Sequence, residues 1–248
     1  MHGTVSTQSD YTIVPETPRV HASPEIAQFM EHEIRRPSKQ WITSIIDGNQ
    51  EQDEVILRTD EFVLLPDTER VNRYWRIQSN SNQARQENAA KSPKRTLNWL
   101  SIVHDRAIHT MRDLRGEHAP MLRRMLDGCM QAIERETGIP RDQVMAYVHY
   151  PPSVYQLHVH FSYPYGQYCH RDAYRIHSLG AIINNLEIDS DYYAKATLYV
   201  AVYKQSQHYQ AFISNPCSKP QDDPDYAPHD PVPVRGVRPK RDEPTIHI

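Results

Sequence analysis

The stretch Val154-Tyr155-Gln156-Leu157-His158-Val159-His160-Phe161-Ser162 alternates polar and apolar residues from Gln156 onward. A β-strand sends successive side chains to opposite faces, with same-face neighbours roughly 7 Å apart. Gln156, His158, His160 and Ser162 are therefore expected on one face, and Leu157, Val159 and Phe161 on the other. The apolar set requires a core behind it. The polar set has three readings. It is an exposed face that carries imidazoles, or a metal site, because two histidines two apart on a strand can share a zinc ion. In the third reading one imidazole attacks phosphorus while its neighbours orient it and stabilise charge. Spacing alone does not choose among them.

Working outward, Val144–Tyr150 (VMAYVHY) reads as a partner strand joined to this one through Pro151-Pro152-Ser153. Leu97–Asp105 (LNWLSIVHD) is mostly apolar with β-branched residues and predicts a buried strand. Asp53–Thr59 and Glu61–Asp67 read as two strands flanking a turn near Asp60. Met121, Met125, Cys129 and Ile133 recur every four residues, the stripe of an amphipathic helix that ends at Gly138. Ser23-Pro24-Glu25 starts another helix. A short one over Gln40–Asp47 stops at Gly48. Arg175–Glu187 reads as helical and Ala196–Tyr203 as a last strand. Strands with a few helices to one side predict an α+β fold with an antiparallel sheet.

The flanks differ. Residues 1–23 are polar and without period, predicting a disordered tail. Residues 214–248 carry frequent prolines and both charge signs, which sustain neither a helix nor a central strand. Residues 78–95 form a polar insert. The folded region is then expected over 24–213. Over the 248 residues, 38% are hydrophobic and the net charge is −3, with a mean hydropathy of −0.73. That balance excludes a polycationic nucleic-acid coat, and no apolar run is long enough for a membrane span. The three cysteines share no CxxC spacing, which excludes a disulfide framework or a zinc ribbon. No secretory signal pattern opens the chain, so a cytoplasmic and also nuclear setting is expected.

Gln156-Leu157-His158-Val159-His160 resembles the histidine-triad (HIT) motif, with glutamine in place of the first histidine. Five longer stretches, in order, resemble the C-terminal domain of the scavenger mRNA decapping enzyme family. They are Trp41–Ile56, Phe62–Asp67, Arg112–Leu126, Tyr147–Phe161 and Ile183–Leu198. The resemblance implies a HIT-like antiparallel sheet flanked by helices and hydrolysis of 7-methylguanosine-capped RNA fragments or cap dinucleotide. It implies no metal and no cofactor. His158 would be the nucleophile, attacking the phosphate that bears 7-methylguanosine to give a covalent nucleotidyl-histidine. His160 and Gln156 would flank that phosphate, and His149, Ser153 and Arg175 would lie along the phosphate chain. Trp41 would stack on the methylated base, Glu51 would accept hydrogen bonds from the guanine edge, and Asp67 would lie near the ribose.

These roles suit the chemistry. Methylation makes guanine cationic, so an indole face gains stacking and cation–π attraction. A carboxylate accepts two adjacent N–H groups of a guanine edge bidentately. Taken without the resemblance, Trp41 is a core tryptophan on a short helix, and Glu51 and Asp67 are solvated turn carboxylates. Three departures from the family stand out. Thr68 and Glu69 replace an apolar residue and a lysine after Asp67, and Gln156 replaces a histidine. The family's swapped N-terminal domain, which closes over the site, is expected to be largely missing here. An open site of broader reach in RNA length follows as an expectation, with a homodimer resting on the HIT-like domain itself. Other functional readings are a non-catalytic cap- or nucleotide-binding protein and a HIT hydrolase of other nucleotidyl substrates.

Overall fold

A computed structural model describes residues 10–49, 54–67, 97–163 and 173–214. In chain order the elements are β1 (Tyr11–Glu16), α1 (Pro18–His21), α2 (Pro24–Ile34), α3 (Trp41–Ile46), β2 (Leu57–Arg58), β3 (Phe62–Pro66) and β4 (Asn98–Val103). They continue with α4 (Ala119–Thr137), β5 (Met145–His149), β6 (His158–Ser162), β7 (Ile176–Ser178), α5 (Leu179–Ile188), α6 (Tyr192–Lys195), β8 (Leu198–Tyr203) and α7 (Gln207–Ser214). Six strands form one antiparallel sheet in the order β2-β3-β4-β6-β5-β7, so the fold is α+β as expected.

Alternation divides that sheet. On its back face Phe62, Leu64, Val103, Val148, Val159 and Phe161 join the stripe of α4 and the apolar side of α5 in one buried cluster. Met121, Met125, Cys129 and Ile133 are all buried there, so the α4 stripe is spent on the protein's own core. Gly138 ends α4 at φ 69°, a left-handed conformation that glycine adopts without strain. On the front face Val63, Leu65 and Ile102 meet Ile42 and Ile45 of α3, and Val154, in a smaller cluster. That cluster covers one side of the front and leaves the other to β6 and β5.

Local signals account for the helix ends. Ser23 Oγ accepts the Ile26 backbone N–H, and Pro24 occupies the first turn, where its missing N–H costs nothing. After α3 the chain turns through Gly48 at φ 74°.

Three sequence expectations are corrected. Residues 11–16, expected within a disordered tail over 1–23, form β1, which pairs antiparallel with β8 from Tyr11↔Tyr203 to Glu16↔Leu198. β8 thereby leaves the main sheet for a separate two-stranded one. Arg175 does not open a helix: Ile176–Ser178 is an edge strand on β5, and α5 starts only at Leu179. Backbone pairing at the open edge of β5 wins there over local helical character. Finally, β6 begins at His158, so Gln156 lies outside the regular strand. The expected insert over 78–95 and the tail from residue 215 lie outside the described residues.

A buried polar cluster fastens β1. Arg112 Nε donates to Glu16 Oε1 at 3.1 Å, and its Nη1 donates to the carbonyls of Tyr193 and Ala196 at 3.0 and 2.6 Å. The Tyr150 hydroxyl donates to Glu16, and His21 Nδ1 lies 3.2 Å from the same carboxylate oxygen. Burial by itself would push the Glu16 carboxyl up. Hydrogen bonding to His21 and the charge of Arg112 outweigh it and hold the group at about 2, against an ordinary 4.5.

Candidate active site

β6 and β5 carry the front-face polar groups. The register sets Tyr147 opposite His160, so His158 and His160 on β6 and Tyr147 and His149 on β5 share one surface. The rings confirm it. His158 and His160 have centroids 5.1 Å apart, and His149 and His160 4.4 Å. Tyr147 stacks on His160 at 5.2 Å with 13° between planes. All three histidines are buried, His158 at 6% exposure. Sequence reasoning misses Tyr147 as a site residue. Its position two before His149 in a strand is the available signal.

His158 Nδ1 lies 2.7 Å from the carbonyl oxygen of Gln156. A carbonyl only accepts, so Nδ1 carries the hydrogen and the neutral ring keeps its lone pair on Nε2. The backbone of Gln156 thus sets which nitrogen of the neutral His158 ring keeps the lone pair. That carbonyl is itself fixed, because the Gln156 side-chain amide donates to the carbonyls of Val103 at 2.8 Å and Asp105 at 2.9 Å. Leu157 adds backbone bonds to Val103 and Ile108 on either side. Glutamine at the first triad position therefore braces the chain leading into β6, and both amide hydrogens are used in doing so.

The other candidates are spread around this surface. Ser153 is exposed in the connection between β5 and β6. Arg175 is half-buried just before β7, and its carbonyl accepts the Tyr150 N–H at 2.8 Å, so its segment and that connection adjoin. Trp41 is half-buried at the first position of α3 and packs against the small front cluster. Asp67, at the end of β3, accepts from Asn98 Nδ2 at 3.0 Å, and Asn98 is in register with Ser162. Glu51, Thr68 and Glu69 lie outside the described residues. Among the described residues no three His, Cys, Asp or Glu side chains are grouped as metal ligands. No described helix is long and apolar enough to cross a membrane.

What this surface can do is hold a phosphate against a nucleophilic imidazole nitrogen, flanked by two more imidazoles. Comparison with known proteins finds the following likenesses. A family described as "Scavenger mRNA decapping enzyme C-term binding" matches residues 87–170. The m7GpppX diphosphatase of Bos taurus is 34% identical over 169 residues, 66% of this chain and 44% of that protein. The m7GpppX diphosphatase of Schizosaccharomyces pombe is 27% identical over 152 residues, 60% of this chain and 43% of that one. The chain thus spans less than half the length of these two relatives. A solved structure of Hnt3 in complex with DNA and guanosine superposes with a TM-score of 0.34 at 15% identity, covering 51% of this chain and 61% of that one.

Proposed function

We propose that the protein hydrolyses the triphosphate bridge of 7-methylguanosine-capped RNA fragments or cap dinucleotide, releasing 7-methylguanosine monophosphate. The observation that carries this reading is the His158–Gln156 hydrogen bond, which leaves Nε2 as the nucleophile on a face shared with His160 and His149. The likeness to m7GpppX diphosphatases supports the substrate class. In the reaction Nε2 of His158 bonds to the phosphorus bearing 7-methylguanosine, and the bond to the bridging oxygen breaks. The nucleoside diphosphate end of the RNA departs with that oxygen, and water then cleaves the phosphorus–nitrogen bond. His160 and His149 stabilise the phosphate in transit, Arg175 and Ser153 hold the phosphate chain, and Trp41, Glu51 and Asp67 hold the methylated nucleoside. A cytoplasmic or nuclear setting goes with this reading. The test is release of 7-methylguanosine monophosphate from cap dinucleotide by the wild type and by His158→Asn. Turnover that survives the substitution would end the covalent mechanism.

One observation favours a second reading, cap binding without turnover: the Gln156 amide hydrogens are already used on Val103 and Asp105. Retention on immobilised 7-methylguanosine with no product from any capped substrate would establish it. A homodimer also belongs to the proposal. Met121 and Met125 are buried in the protein's own core, so the contact must use other surfaces. Light scattering at micromolar concentration should give twice the 28.9 kDa chain mass, and a single-chain mass would refute it.

A further inference from the structure

Beside the histidine face lies a pocket of about 250 Å³ that the proposed hydrolysis leaves unused. Among the described residues that line it, four are basic: Arg35, Lys39, Arg106 and His109. The acidic residue among them is Glu33, and its carboxylate is already engaged by Arg36 at 3.0 Å, with His32 at 3.6 Å. The pocket shares walls with the catalytic region. Gln156, two residues before His158, lines it, as do Val154 and Ile42 of the small front cluster.

We propose that this pocket binds the phosphodiester backbone of single-stranded RNA downstream of the cap, the part of the substrate that departs from His158. The proposal rests on the decapping reading for its substrate and adds a second point of attachment. The basic groups can be given up to a phosphate cheaply. Arg106 pairs with Asp47 and Arg35 with Glu31, but both pairs are largely solvent-exposed, where such bridges contribute little. Among the described residues Lys39 makes no ion pair. A pocket below the usual range for small-molecule sites suits a phosphate with its ribose better than a whole dinucleotide. Tyr155, the only aromatic side chain apart from His109 among the described residues of the lining, is buried at 8% exposure and offers little face for a base to stack on. Recognition here is therefore of backbone charge, independent of sequence.

The test uses the full chain and the double variant Lys39→Glu/Arg106→Glu. Anisotropy of an uncapped, labelled RNA 10-mer, measured at several salt concentrations, reads the pocket without any chemistry. Binding should weaken by about tenfold or more, and the log–log salt slope should shrink by about two, one for each phosphate that is no longer neutralised. In hydrolysis assays the KM for a capped 10-mer should rise while that for cap dinucleotide stays within about twofold, because the dinucleotide has no downstream phosphodiester. Unchanged RNA affinity and slope overturn the pocket whatever the turnover. So does an equal rise in KM for both substrates. Weakened RNA binding in a protein that hydrolyses no capped substrate leaves the pocket standing and overturns the decapping reading instead.

Discussion

β6 serves two surfaces with opposite chemistry. Val159 and Phe161 face back into a dense apolar cluster under α4 and α5, both at 0% exposure. His158 and His160 face forward, buried almost as deeply but among rings and polar groups. Burial alone therefore does not tell the structural face from the one proposed to react. The difference lies in what each side chain meets: methyl and phenyl groups behind, imidazoles, a phenol and a directing carbonyl in front. One residue of register separates them, so a slip of one would place imidazoles in the core and phenylalanine at the reactive surface.

Substitutions on the two sides should separate function from stability. His158→Asn keeps a polar amide where the ring places Nδ1 but removes Nε2, the proposed nucleophile. Turnover of cap dinucleotide should fall at least about 10⁴-fold, ~5 kcal/mol of barrier, with urea-unfolding midpoints nearly unchanged. Phe161→Ala should do the converse, costing about 4 kcal/mol in urea unfolding while the remaining folded fraction keeps its kcat. A large loss of kcat per folded molecule would show that the faces are coupled.

Acid loads a third region, the buried cluster around Glu16. The Glu16 carboxyl ionises at about 2 in the fold against an ordinary 4.5. Its stabilisation is complete above pH 4.5 and is lost as the pH falls through the folded value, when the folded state takes up the proton as well. The loss should amount to about 3 kcal/mol, seen as a falling unfolding midpoint between pH 4.5 and 2. Glu16→Gln should flatten that slope, and an unchanged slope would assign the acid sensitivity elsewhere. The smallest effect is expected at Trp41. Trp41→Ala should weaken 7-methylguanosine binding by about 2 kcal/mol, measured by calorimetry, with little change in the rate at saturating substrate. Loss of the saturating rate instead would mean that the indole supports the sheet rather than the base.

Elements built on local pattern were legible in the sequence. The α4 stripe, its glycine end, the buried β4 and the alternation of His158 through Ser162 all follow from side-chain period. What could not be read depended on distant partners. Tyr11–Glu16 carries no strand signal strong enough to stand alone, and its pairing partner is at the other end of the fold. Ile176–Ser178 is a strand because the edge of β5 accepts it, although the sequence runs without a break into α5. The site divides in the same way. His158 and His160 were legible as sharing a face from alternation in β6, whereas His149 came only with the family resemblance. The bracing role of Gln156 was not, since it depends on the carbonyls of Val103 and Asp105, some fifty residues earlier.

The pairing of β1 with β8 has a consequence for the order in which the chain can mature. The main sheet is complete in sequence once β7 has been made, but Tyr11–Glu16 must wait for Leu198–Tyr203. During synthesis at ordinary rates roughly 190 residues separate the two, a delay of roughly 10–40 s. Through that interval Glu16 has no β8 beside it, Val14 has no cover, and the edge of the future ribbon is open to other chains. Arg112 emerges midway and already needs its carboxylate. The buried ion cluster therefore closes only once the carbonyls of Tyr193 and Ala196 have been made and Glu16 is in place to meet Arg112.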